Sequence, residues 1–119
     1  MSFLQRANSL IGEPYNKDTN HCYSLVMQLL PNAPKIEHVV NGIYASVNKI
    51  NYEVKALKLK EVKEFQNEDI ILLGRSTIYH HVGVYYDGGI IHADEDRGVV
   101  YDSMVQLKKF YPNMRGLRL

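Results

Sequence analysis

The hydrophobic positions of this chain change their spacing about halfway along. Early on they recur every three or four residues: Phe3, Leu4, Ala7, Leu10 and Ile11, then Cys22, Leu25, Val26, Leu29 and Leu30. Such spacing puts each set on one side of a helix. The first set predicts a helix over residues 2–11, stopped at Gly12 with Pro14 just beyond. The second predicts a helix over about 21–30, capped by Thr19 or Asn20 and ended by Pro31 and Pro34. From residue 69 the apolar residues fall instead into short runs bounded by glycine, which predicts strands over 69–73, 81–86, 89–93 and 98–101. Asp87-Gly88-Gly89 reads as the turn joining the second and third of these strands into a hairpin. Met104, Leu107 and Phe110 predict a short helix over 103–110, and residues 114–119 a final edge strand. Between the halves the pattern is weak. Residues 39–44 fit a short helix or an irregular loop, and 52–59 alternate imperfectly among lysines that mark a solvated face. Helices followed by an antiparallel meander give an α+β class, with the N-terminal helices packed on the sheet.

Length and composition narrow this to one globular unit. The chain has 119 residues, 45 % of them hydrophobic and 23 % charged, enough to bury a core within a single domain over 1–119. One cysteine excludes an internal disulfide. A formal net charge of +1 gives no electrostatic case for a nucleic-acid partner. No stretch reaches the roughly 18 apolar residues that span a bilayer. The start, Met1-Ser2-Phe3-Leu4-Gln5-Arg6, lacks the basic and apolar regions of a secretory signal. The expectation is a protein made in the cytoplasm; if its substrate lies outside, other machinery must deliver it.

Candidate chemistry centres on Cys22 at the predicted helix start. A thiol attacks as thiolate, and its ordinary pKa near 8.5 calls for help. Helix-start N–H groups supply partial positive charge and can stabilise an oxyanion. An imidazole in reach can take the thiol proton and later protonate the leaving amine, and a third group must orient that imidazole. His81 and His92, on consecutive strands, fit these two roles. Strand alternation places His81 with Gly83 and Tyr85, opposite Val82 and Val84. Either the valines face the helices, or His81 faces the helix bearing Cys22 with Gly83 leaving room; the second reading is preferred. Cys22, His38, His80, His81 and His92 do not fall at zinc-ligand spacing, so no metal and no cofactor is expected.

Several segments together resemble the NlpC-type (NlpC/p60) cysteine peptidases, papain-like enzymes that cut peptidoglycan peptides. Gly12-Glu13-Pro14-Tyr15 is similar to the family's Gly-x-x-Tyr ahead of the nucleophile. His21-Cys22-Tyr23-Ser24-Leu25-Val26 stands where the family has Asp-Cys-Ser-Gly-Leu-Val. Asn67-Glu68-Asp69-Ile70-Ile71 is similar to its Gly-Asp-Leu strand. His81-Val82-Gly83-Val84-Tyr85 matches His-Val-Gly-Ile-Tyr, and Ile91-His92-Ala93 matches the segment bearing the third polar residue. The resemblance implies a papain-like fold with Cys22 as nucleophile, His81 as base and His92 as orienting residue. Tyr15, His21, Tyr23 and His80 are then candidate substrate contacts, with Tyr23 narrowing the acceptor site. His80 is the rival base, ranked second because its side chain should point to the other face of the strand.

The implied reaction is hydrolysis of an amide bond in a peptidoglycan stem peptide or crosslink through an acyl-enzyme. Members with this bare architecture resemble phage tail-associated peptidases and toxins injected by a secretion apparatus, which makes tail or apparatus proteins expected partners. His21 and Tyr23 depart from the family's residues around the nucleophile. They keep open an inactive assembly or binding module, and an amidase, deamidase or acyl transferase acting on protein or lipid.

Overall fold

The computed structural model describes residues 1–16, 21–36, 45–76 and 78–119. The first helix, α1 (Phe3–Leu10), starts with a reciprocal cap. The Ser2 hydroxyl accepts from the Gln5 N–H at 3.2 Å, and Gln5 Oε1 accepts from the Ser2 N–H at 2.8 Å. This satisfies two of the donors that a helix start leaves open. The second helix, α2 (Cys22–Leu29), is capped by His21, and the predicted caps Thr19 and Asn20 lie outside the described residues. Arg6 ties the two helices together by donating Nε to the Leu29 carbonyl at 2.8 Å.

A third helix, α3 (Ala45–Tyr52), occupies part of the stretch where the hydrophobic pattern is weak; the option of a short helix over 39–44 lies outside the described residues. The six strands are β1 (Lys60–Val62), β2 (Ile70–Gly74), β3 (Tyr79–Tyr86), β4 (Gly89–Asp94), β5 (Gly98–Ser103) and β6 (Asn113–Arg118), with a fourth helix, α4 (Met104–Phe110), before the last. They form one antiparallel sheet in the order β1-β6-β2-β3-β4-β5. The expected meander is therefore β2 to β5. The expected edge strand β6 is instead interior, paired with β2 on one side and β1 on the other. Its outward residues gave no hint of this, because strand β1 is only three residues long and mostly exposed.

The sheet is covered on both faces. Helices α1, α2 and α3 pack Phe3, Leu25, Val47 and Ile50 onto Ile70, Leu72, Val82 and Val84. On the other face Leu107 of α4 packs on Ile71, Leu73 and Ile90. Both faces of β2 are thus dry, which is why its sequence is an unbroken apolar run rather than an alternation. Asp69, 1 % exposed, is held at the entrance of β2 by Arg118, whose Nε and a terminal nitrogen donate at 2.8 and 2.9 Å, and by the Gln66 N–H at 2.7 Å. A buried carboxylate needs such partners to stay in place. The β3–β4 turn uses Asp87 (φ 44°) and Gly88 (φ 82°), the left-handed pair that a two-residue hairpin requires.

Candidate active site

Two local features shape the cleft at the end of β3. The first is a bulge. Leu73 pairs with His81 but Gly74 pairs with Tyr79, so His80 is an extra residue on β3. A bulge re-aims side chains next to it. Here Tyr79 joins the helix-side core, while the rings of His80 and His81 both lie 5.5 Å from the ring of Tyr111. The expectation that His80 points to the opposite face from His81 is therefore corrected: both histidines line the same cleft.

The second feature is the segment before α2. Gly12 donates its N–H to the Val99 carbonyl at 2.9 Å, and Val99 donates back to the Glu13 carbonyl at 2.8 Å. Gly98, at φ 78°, lies so close to Glu13 that a Cβ there would sit 2.3 Å from its carbonyl oxygen. Residues 12 and 13 are thereby laid along β5, and Tyr15, two residues on, reaches the cleft.

Cys22 is the first residue of α2 and is 3 % exposed. The N–H groups of Tyr23, Cys22 and Val82 face its sulfur. Two belong to the helix start, where backbone donors have no intrahelical partner. The third is open because the β3–β4 ladder stops at the Gly83–His92 pair, one residue short of Val82. Burial nevertheless dominates, pushing the thiol from 9.0 up to about 11.

The preferred assignment of strand faces is also corrected. Val82 and Val84 pack toward α2, and His81 lies on the other side with Tyr85 and His92. Gly83 leaves room not for the helix but for β4: a Cβ there would meet Ile90 Cγ2 at 2.4 Å, the Ile91 carbonyl oxygen at 2.7 Å and His92 Cβ at 3.1 Å. Cys22 and His81 still line one cavity of about 340 Å³. Asp94, Arg75 and Tyr111 complete its wall. Gly83→Ala should therefore lower the melting temperature by the equivalent of about 1–3 kcal/mol of overpacking, measured by thermal unfolding, and loosen the histidine pair beside it.

Across this close approach His81 Nε2 lies 2.9 Å from His92 Nδ1. His92, 2 % exposed, reaches Asp102 Oδ2 through Nε2 at 2.8 Å. Arg97 holds Asp102 with two donors, at 2.6 and 3.1 Å. Burial draws the His81 pKa down to about 3, with His92 and His80 adding to the effect and Asp94 opposing it. Burial also lowers His92, against the pull of Asp102. These shifts favour the uncharged thiol and the uncharged imidazoles at neutral pH over an ion pair. Alkylation of the folded protein by iodoacetamide should accordingly be slow at pH 7 and accelerate through about pH 11. A rate that levels off below pH 8 would contradict this.

Two candidate contacts lie outside the cleft. Tyr23 is fully buried and its hydroxyl donates to the Pro34 carbonyl at 2.6 Å, because the second position of α2 turns into the core. It cannot narrow an acceptor site from there. His21, 6 % exposed, accepts the Ser24 N–H on Nδ1 while the Ser24 hydroxyl accepts the His21 N–H. Its ring is the cap of α2. His38 lies outside the described residues. Among the described residues no three His, Cys, Asp or Glu side chains gather as a metal site, and no helix is long and apolar enough to cross a membrane. Sequence reading missed Asp102 and Tyr111. The signal for Asp102 was the length of β5, read as ending at residue 101 but continuing to Ser103.

No family model matches the sequence, and no curated protein matches it. Among solved structures, the chain is similar to the NlpC/p60 domain of the peptidoglycan hydrolase SagA, with a TM-score of 0.63 at 16 % identity over 97 % of this chain and 95 % of that one. The chain has an NlpC/p60-type fold, an α+β arrangement of four described helices and a six-stranded antiparallel sheet.

Proposed function

We propose that this protein is a thiol hydrolase that cleaves an amide bond in a peptidoglycan stem peptide or crosslink through an acyl-enzyme on Cys22. The observation that carries the reading is the convergence, in one cleft of an NlpC/p60-type fold, of Cys22 at the start of α2 with His81, whose ring is bonded from behind by the buried His92.

Because both partners rest neutral, His81 acts as general base during attack rather than as half of a standing ion pair. The thiol proton passes to His81 as sulfur bonds to the substrate carbonyl carbon. The helix-start N–H groups of Cys22 and Tyr23 face the region where negative charge develops. The imidazolium then protonates the leaving amine; water, deprotonated by the same ring, attacks the acyl carbon, the C–S bond breaks to release the acid product, and the ring returns its proton to the Cys22 sulfur. Tyr15, His80 and Tyr111 wall the cleft and supply substrate contacts.

Synthetic stem peptides and crosslinked dimers, resolved by mass spectrometry, test the substrate class. Cleavage at an internal amide is the expected outcome. Cleavage of protein or lipid acyl targets with the peptides left intact would instead identify an amidase or transferase.

The burial of the thiol favours a second reading, an assembly or binding module that keeps the fold without the chemistry. In that case Cys22→Ser would leave partner binding unchanged and wild-type protein would cut none of the peptides.

A further inference from the structure

We propose that Asp102, clamped by Arg97, is a positioning residue that acts through His92 to fix the tautomer of His81, leaving Nδ1 as its unprotonated nitrogen. The inference rests on the reading of His81 as the base for Cys22.

The chain of ring nitrogens fixes where each proton sits. Asp102 Oδ2 accepts from Arg97 at 2.6 Å and sits 2.8 Å from His92 Nε2, while Oδ1 accepts from Arg97 at 3.1 Å. An ionised carboxylate can only accept, so the proton between Asp102 and His92 is on His92 Nε2. A neutral imidazole carries one N–H. His92 Nδ1 is then an acceptor, and the group facing it at 2.9 Å, His81 Nε2, must be the donor. That uses the only N–H of neutral His81 and leaves Nδ1 as a lone pair, the form a base needs. Removing the carboxylate frees His92 to adopt either tautomer. In the reversed form His81 carries its proton on Nδ1 and cannot accept one there.

Arg97 belongs to the same device. The Asp94 carboxylate accepts the N–H groups of Asp96 and Arg97, both at 2.9 Å. This folds the β4–β5 turn so that the guanidinium returns onto Asp102. Asp102 is 13 % exposed and Arg97 53 % exposed, so the guanidinium covers the carboxylate from the solvent side.

Nitrogen-15 NMR of histidine-labelled full-length protein at pH 7 reads the tautomer directly. Wild type should show His81 protonated on Nε2 and bare on Nδ1. Asp102→Ala should show mixed tautomers at His81 and His92, and a kcat on stem peptide roughly 10- to 100-fold lower with a smaller change in KM. Asp102→Asn keeps a carbonyl oxygen that can accept from His92 Nε2, so it should restore the wild-type tautomer and most of kcat. Should the alanine variant fail to fold, Asp102→Ser carries the same expectation. A wild-type His81 spectrum in the folded variant lacking the carboxylate would overturn the inference, as would equal spectra for the alanine and asparagine variants. If wild-type protein hydrolyses nothing, the proposed function fails, and the spectra still decide the role of Asp102.

Discussion

Replacing His81 with alanine is expected to lower stem-peptide hydrolysis by roughly 10^2- to 10^4-fold, the range for loss of a general acid–base group. His80→Ala should keep activity within the same order of magnitude. The two rings share a cleft and lie equally far from Tyr111, so location does not separate them. What separates them is the bond from His81 Nε2 to His92 Nδ1, which orients that ring as a base must be oriented. Loss of fold as an explanation is checked by acid stability. The folded-state pKa of His81 lies at about 3, below the unfolded value of 6.5. The unfolded chain therefore binds more protons between these values, and the fold loses stability as pH falls through that window. His81→Ala removes that loss. Its melting temperature should fall less between pH 7 and pH 4 than that of wild type.

Cys22→Ala should have the larger effect, roughly 10^6-fold on turnover, as expected when a covalent nucleophile is removed. Alanine leaves the helix start and its cap in place, since both His21–Ser24 bonds use other atoms. The fold should lose about 1 kcal/mol for the deleted buried atom. Cys22→Ser should be comparably inactive, because a hydroxyl is a weaker nucleophile without strong activation and burial makes His81, which lines the same cavity, a weaker base. Activity within tenfold of wild type in either variant would move the chemistry to another residue.

Much of this arrangement was legible in the sequence, and the losses have physical causes. The helix of Cys22 was readable because Leu25, Val26 and Leu29 carry a plain helical period into the core. The β3–β4 hairpin was readable because Asp87-Gly88 supplies two left-handed positions. Helix α3 was not readable: Val47 and Ile50 face the core, and asparagine and lysine interrupt any stripe. The face of His81 was misread because alternation leaves two choices, and only packing decides that the valines go to α2. The bulge at His80 was invisible, since it depends on register with β2 rather than on local composition. Asp102 was missed for a similar reason: its tie to His92 is diagonal across a hairpin whose length the apolar pattern understates. Tyr23, beside the thiol in sequence, is turned by the helical period away from it and into the core.

The central claim is that Cys22 opens an amide in the stem peptides of peptidoglycan. The most direct measurement is the muropeptide profile of purified murein after incubation with wild-type protein and with Cys22→Ala. The account predicts new amino and carboxyl termini within the stem peptides or crosslinks for wild type and none for the variant. An unchanged profile with wild-type protein, or equal release by both, would contradict it.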